Sequence, residues 1–154
     1  MSRINLFLDS SALMAGLISE EGAAGALLLL GEDGVIQLTV SEQVIVEIER
    51  NLARKAPRAV PFAREMIRIA KVRILRDPPL DEVRQRMDWI GHAADAPILV
   101  AAHRDQVDYL VTLNRRHFLD DAEVARRSGL RIGSPGDALA WVREQLGSAD
   151  EIHE

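Results

Sequence analysis

Short apolar segments typical of buried strands alternate with helical patterns along most of the chain. The first strand-like run covers residues 4–8, and others occupy residues 35–40, 72–75, 109–112 and 130–132. Helical patterns fill the intervals at residues 10–17, 23–30, 41–56, 59–70, 80–90, 96–103 and 121–128, and a closing helix covers residues 135–146. Because parallel strands need crossover connections, this alternation predicts an α/β fold of three layers, with a central, mostly parallel sheet covered by helices on both faces.

The proposed helix boundaries depend on capping residues and periodicity. Ser10 or Ser11 is expected to cap the first helix and Ser41 to open the long one that Pro57 ends. In the helix at residues 59–70, the residues expected to face the core are Phe62, Met66, Ile69 and Ala70.

The chain of 154 residues fits one domain, which we expect at residues 1–146, followed by a polar tail at residues 147–154. The sequence contains no cysteine, so a metal would be bound by oxygen or imidazole ligands. No segment approaches the ~20 apolar residues that cross a bilayer, and the start of the chain lacks the pattern of a signal peptide. These features predict a cytoplasmic protein without a membrane partner.

Charge is distributed unevenly, although the net charge is −5. Residues 1–49 carry eight acidic side chains against Arg3, whereas residues 50–76 carry nine basic side chains against Glu65. The overall acidity argues against nucleic-acid binding by bulk charge alone. The basic segment forms either solvated helix faces or a surface for phosphates or an acidic partner.

Polar residues follow several of the predicted strands or lie beside them. Asp9 ends the first strand, Asp95 opens a helix from a loop above the sheet, and Asn114 follows the strand at residues 109–112. Glu47 lies at the border of the buried face of the long helix. In open α/β sheets the ligand site lies outside the carboxyl ends of the strands, so these side chains are expected to converge there. Carboxylates in this arrangement suit Mg²⁺ or Mn²⁺, which can activate water for attack on a phosphodiester.

Each of these residues also has a simpler interpretation. Asp9 and Asp95 are suitable helix caps, Glu47 is suited to pair with Arg50 or Asn51 on its own helix, and Asn114 is a common turn residue. Their joint position in a doubly wound pattern, rather than any single residue, favours a site.

Four motifs in order give the chain a specific resemblance. They are DSS at residues 9–11 after the first strand, SEQVIVE at 41–47, DAPILVAA at 95–102 and DYLVTLN at 108–114. The sequence resembles the PIN-domain family over residues 3–146, including IGSP at 132–135, and in particular the toxin components of bacterial toxin–antitoxin pairs.

The resemblance implies a Mg²⁺- or Mn²⁺-dependent endoribonuclease, with Asp9, Glu47 and Asp95 as metal-binding and catalytic carboxylates. Asn114 departs from the fourth carboxylate that many relatives carry, although its amide oxygen can still ligate a metal or its water. A small antitoxin encoded beside the chain would mask the cleft with a basic side chain or an apolar helix, and homodimers are common in similar proteins.

Further side chains near this edge are candidates for binding substrate. The Thr112 and Ser10 hydroxyls are expected either to hold the carboxylates or to bind phosphate, and Ser11 to cap a turn. Arg115 and Arg116 are either phosphate contacts or exposed loop residues. No catalytic role is expected for His92 or His117.

Two other functions compete with the nuclease. Asp9 could form an aspartyl-phosphate, but Ser11 stands where a second Asp would be expected. A catalytically silent PIN-like module that binds RNA or protein would keep the fold and lose the turnover, and Asn114 together with the acidic net charge motivates that alternative.

Overall fold

The protein forms a five-stranded parallel sheet flanked by helices, as described by a computed structural model that covers residues 3–153, with side chains for residues 3–148. The strands are β1 (Ile4–Leu8), β2 (Ile36–Ser41), β3 (Arg73–Leu75), β4 (Tyr109–Val111) and β5 (Ile132–Gly133). The helices are α1 (Ser10–Ile18), α2 (Ala23–Glu32), α3 (Glu42–Lys55), α4 (Val60–Ile69), α5 (Leu80–Gln85), α6 (Ala96–Arg104), α7 (Ala122–Ser128) and α8 (Pro135–His153). The predicted three-layer α/β/α class is confirmed.

The strand order β3-β2-β1-β4-β5 places the switch point of the sheet between β1 and β4. Leu6, Phe7 and Leu8 of β1 pair in parallel with Tyr109, Leu110 and Val111 of β4. Successive side chains of a strand point to opposite faces, yet all six of these residues are buried, so both faces of the centre are covered. The residues that follow β1 and β4 therefore meet at the carboxyl edge of the sheet, where such folds bind ligands.

Helix α4 differs from the expectation in the face that it buries. Phe62 is 54% exposed, whereas Ala63 and Ile67 are buried together with Ala70. The predicted inner stripe was therefore wrong for Phe62, because the helix is rotated so that smaller side chains face the core and the aromatic ring remains at the surface.

The ends of three helices also differ in detail from the prediction. Asp9, rather than Ser10 or Ser11, occupies the N-cap of α1 and accepts a hydrogen bond from the Ala12 backbone N–H. Ser41 precedes α3 as predicted, but its buried hydroxyl makes no cap bond. Helix α8 continues to His153 and so includes most of the segment predicted as a polar tail.

Within the described residues, no single helix is long and apolar enough to span a membrane, although α1 and α2 taken together, at a bend of 88°, satisfy the same length and composition criteria.

Candidate active site

Asp9 lies at the switch point and is fixed by three hydrogen-bond donors. Its Oδ1 accepts from the Ser11 hydroxyl at 2.6 Å and from the Ala12 N–H at 2.9 Å, and its Oδ2 accepts from the Thr112 hydroxyl. The Asp9 side chain is only 5% exposed, and its own backbone N–H donates to the Val111 carbonyl across the β1–β4 pair. The carboxylate is thus held in one orientation by the first turn of α1 and by the residue that follows β4.

Burial raises the pKa of the Asp9 carboxyl above its usual value. The hydrogen bonds from Ser11, Thr112 and the Ala12 N–H lower this pKa but do not cancel the effect of burial, and the negative charge of Asp95 raises it further. The charge of Asp95 has the smallest of these effects, and its sign is that expected for two carboxylates on the same side of the sheet. A cation nearby would relieve both the burial penalty and the repulsion.

Asp95 occupies the N-cap position of α6, but its side chain makes no cap hydrogen bond. Its Oδ2 instead lies 3.1 Å from Nδ1 of His92 and 2.8 Å from Nδ1 of His117. The cap interpretation of this carboxylate therefore accounts for its position in the chain and not for the direction of its side chain.

The two histidines are the residues that sequence reasoning missed. Their rings stack with centroids 3.9 Å apart and an angle of 12° between planes. His92 precedes Asp95 by three residues, a spacing that the sequence displays, whereas His117 reaches the same carboxylate only through the fold. No pattern in one sequence reports the second contact.

Asn114 joins the two carboxylates through neighbouring polar groups. Its backbone N–H donates to the Thr112 hydroxyl at 2.9 Å, and its Oδ1 accepts from the backbone N–H of His117 at 3.0 Å. This side chain caps the π-helical turn Arg115–Leu119. A continuous polar network therefore runs from Asp9 through Thr112, Asn114 and His117 to Asp95.

Glu47 lies in a neighbouring part of the edge, on α3. Its carboxylate accepts from the Ser10 hydroxyl at 2.7 Å and from the Gln43 side-chain amide at 2.9 Å. Among the described side chains it forms no ion pair with Arg50 and no hydrogen bond with Asn51. A cleft of 420 Å³ opens beside it, and Ser10, Arg50 and Arg54 contribute to its lining.

The remaining candidates differ in accessibility. Thr112 is fully buried and holds Asp9, which is one of the two roles that the sequence left open for its hydroxyl. The Ser10 hydroxyl donates a hydrogen bond to Glu47. The Ser11 hydroxyl donates to Asp9 and accepts from the backbone N–H of Leu113 at 3.0 Å. Arg115 and Arg116 are exposed on the π-helical turn, and Arg115 lies 3.5 Å from Asp120.

The donor atoms at this edge are suited to a divalent cation. Within the described part of the chain, the one group of three potential metal ligands that lie within 4.8 Å of one another is His92, Asp95 and His117. Asp9 and Glu47 do not belong to such a group. Carboxylate oxygens and imidazole nitrogens are ordinary ligands of divalent ions, so the chemistry of the donor set fits a metal.

Comparison with known proteins agrees with this architecture. The family model described as a PIN domain matches residues 5–116. No curated protein matches the sequence. The crystal structure of PAE2754 from Pyrobaculum aerophilum has a TM-score of 0.62 at 20% identity, over 92% of this chain and 96% of that chain.

Two further solved structures are similar to this chain. VapBC2 from Rickettsia felis, bound to a DNA fragment from its promoter, has a TM-score of 0.60 at 16% identity and covers 85% of this chain and 98% of that chain. VapC20 from Mycobacterium tuberculosis, a toxin that cleaves the sarcin-ricin loop, has a TM-score of 0.52 at 18% identity over 72% and 91% of the two chains. At these identities the likeness establishes the fold.

Proposed function

Because this chain belongs to the PIN-domain family, we propose that it is a metal-dependent endoribonuclease and the toxin of a toxin–antitoxin pair. The observation that supports this most is the Asp9 carboxylate, which is buried at the switch point, fixed by three donors and linked electrostatically to Asp95. A protein that needed only a helix cap would gain nothing from burying a charge in this way, since a buried charge costs free energy unless it is compensated.

In this proposal Asp9 and Asp95 bind a divalent cation, Mg²⁺ or Mn²⁺, and Glu47 completes the acidic site from α3. When bound, the cation supplies an activated water and offsets the charge that develops on the phosphate oxygens. Thr112 and Ser11 orient Asp9, and Asn114 holds the segment after β4 in register with them. Ser10 orients Glu47.

The RNA backbone is proposed to bind along the cleft beside Glu47. Arg50 and Arg54 line this cleft, and neither forms an ion pair among the described side chains. Several other basic residues of the segment are already paired, as Arg64 with Glu49 and Arg68 with Glu65 show. Local positive charge at the cleft would let an acidic protein hold phosphates. Activity on cellular RNA would imply a cytoplasmic location.

The test is cleavage of single-stranded RNA in the presence of Mg²⁺ or Mn²⁺. Wild type should cut and Asp9→Asn should not. Asp33→Asn is the matched control, because Asp33 is exposed and caps the C-terminal end of α2, just before β2 and therefore at the opposite edge of the sheet. Equal cutting by wild type and Asp9→Asn would refute the assignment.

An antitoxin partner is supported by an apolar groove next to the cleft. The groove has a volume of 360 Å³ and is formed mainly by α1, the end of α3 and the start of α4, with lining residues that include Leu17, Ile18, Leu52 and Phe62. Met14 and Asn51 line both the groove and the cleft, so a helix bound in the groove would lie beside the proposed RNA path. We propose that the partner inserts an amphipathic helix there.

This partner proposal is tested with the product of the neighbouring gene. Expression of the chain alone should arrest growth, and coexpression should restore it. Ile18→Asp should abolish the rescue, whereas Leu80→Asp should not, although the two side chains are similarly exposed at 75% and 71%. Rescue that persists in Ile18→Asp would argue against the groove.

The alternative function is a catalytically silent PIN-like module that binds RNA or protein. It is favoured by one observation, that Asp9, Glu47 and Asp95 do not form a compact group of three ligands. The cleavage assay separates the two, because a silent module would bind the RNA with the same affinity before and after Asp9→Asn and cut in neither case.

A further inference from the structure

Two imidazole side chains face Asp95, and neither has a role in the carboxylate site proposed above. His92 comes from the loop before α6 and His117 from the π-helical turn after β4. Both Nδ1 atoms point at the same Oδ2 of Asp95, at 3.1 and 2.8 Å, while the rings stack on each other. Segments distant in sequence thus bring two nitrogen donors to one carboxylate oxygen.

Nδ1 of His117 faces two groups whose hydrogen-bonding requirements are incompatible. The backbone N–H of His117 donates to Oδ1 of Asn114, which sets the orientation of the amide. Nδ2 of Asn114 therefore faces the ring nitrogen Nδ1 of His117 at 3.1 Å. The amide nitrogen only donates and therefore requires a lone pair on Nδ1, whereas the Asp95 carboxylate only accepts and requires a proton there. One nitrogen cannot meet both requirements.

A cation between the imidazole and the carboxylate removes this conflict. It takes the lone pair of Nδ1 and the charge of Asp95 together, and leaves the Asn114 amide to solvent. The donor atoms of His92, Asp95 and His117 lie within 4.8 Å of one another, so one ion would be bound by all three after one imidazole ring turns out of the stack.

We propose that His92, Asp95 and His117 form a mixed nitrogen and oxygen site that makes this protein select a first-row transition-metal ion over Mg²⁺. Imidazole nitrogens favour ions such as Co²⁺ and Zn²⁺, whereas Mg²⁺ prefers oxygen ligands alone. This inference rests on the proposed function only because both sites include Asp95. It concerns which ion His92, Asp95 and His117 bind.

The test is binding of Co²⁺ to the protein after chelator treatment, followed by the visible absorption of the bound ion. Wild type should bind Co²⁺ more tightly than Mg²⁺ in competition. His92→Gln and His117→Gln should each weaken Co²⁺ binding by at least about tenfold and leave Mg²⁺ binding unchanged. His103→Gln is the matched control, because His103 contacts the Ser128 carbonyl at 3.1 Å, away from this group. Wild-type affinity and spectrum in His92→Gln would overturn the proposal.

A second measurement avoids any question of misfolded variants. In the wild-type protein, addition of Zn²⁺ should shift the imidazole nitrogen resonances of His92 and His117 and leave those of His103 in place. Unchanged resonances at His92 and His117 would refute the site.

Failure of this inference and failure of the nuclease are distinguishable. Histidine-dependent Co²⁺ binding without RNA cleavage would retain the metal site and refute the nuclease. Cleavage that Mg²⁺ supports as well as Mn²⁺, with normal Co²⁺ binding in both variants, would retain the nuclease and refute the histidine site.

Discussion

Replacing Thr112 by valine tests whether a buried hydroxyl holds the Asp9 carboxylate. The change keeps the size of the side chain and removes the donor to Asp9 Oδ2 and the acceptor for the Asn114 N–H. A hydrogen bond to a charged group contributes about 1.5–3 kcal/mol, and a neutral one about 0.5–1.5 kcal/mol. Together the two ranges give about 2–4.5 kcal/mol, and water that replaces the partner of the Asn114 N–H lowers the upper end. We therefore expect the free energy of unfolding to fall by about 2–4 kcal/mol at neutral pH.

The assay is urea unfolding in the presence of a chelator, with the midpoint lowered and the slope unchanged. For a chain of this size the melting temperature should fall by roughly 4–16 °C. The Thr112 hydroxyl stabilises the ionised form of Asp9, so the loss in Thr112→Val should be largest at neutral pH and should shrink as the pH falls through the pKa of Asp9.

Thr112→Ser is the matched control, because it keeps the hydroxyl and loses one methyl group. It should cost only about 1 kcal/mol. A Thr112→Val protein as stable as wild type would refute the reasoning, as would a Thr112→Ser protein destabilised as much as Thr112→Val.

Three other outcomes are expected. Asp9→Asn should stabilise the metal-free protein by about 0.5–2 kcal/mol at neutral pH. Burial raises the pKa of this carboxyl, and the gain, read from urea melts, should disappear as acid neutralises the wild-type side chain. Gly133→Ala should cost about 1–3 kcal/mol, because the new methyl would overlap the Tyr109 hydroxyl, whereas Gly147→Ala, with nothing within 4 Å, should not destabilise. Arg54→Ala, measured in the Asp9→Asn background, should weaken RNA binding and reduce the salt dependence by about one ion; an unchanged salt slope would place the RNA elsewhere.

The sheet and its edge were predictable because their signals are local. A short apolar run such as residues 4–8 can form little except a buried strand, and parallel pairing then carries Asp9 and the residues after β4 to the same edge. The rotation of α4 was not predictable, because Phe62 and Ile67 are equally apolar in a sequence and only packing decides which one is buried.

The candidate site was predictable in its carboxylates and not in its imidazoles. Asp9 and Asp95 stand directly after a strand and before a helix, positions that a pattern reveals. The contact of His117 with Asp95 joins two segments that no periodicity relates, and the contact of Glu47 with Ser10 likewise depends on how α3 packs against α1. Such contacts are fixed by tertiary packing.

The hydrogen bond from Thr112 to Asp9 spans 103 residues of sequence, and its timing during synthesis follows from that separation. Strands β1, β2 and β3 can pair as soon as residues 4–75 are available, but the neighbour of β1 on its other side is not yet made. Until β4 and the turn after it have been synthesised, Asp9 lacks one of its three donors, and Asp95 lacks His117. A ribosome-bound or truncated chain that ends before residue 109 would therefore hold three of the five strands and none of the completed site.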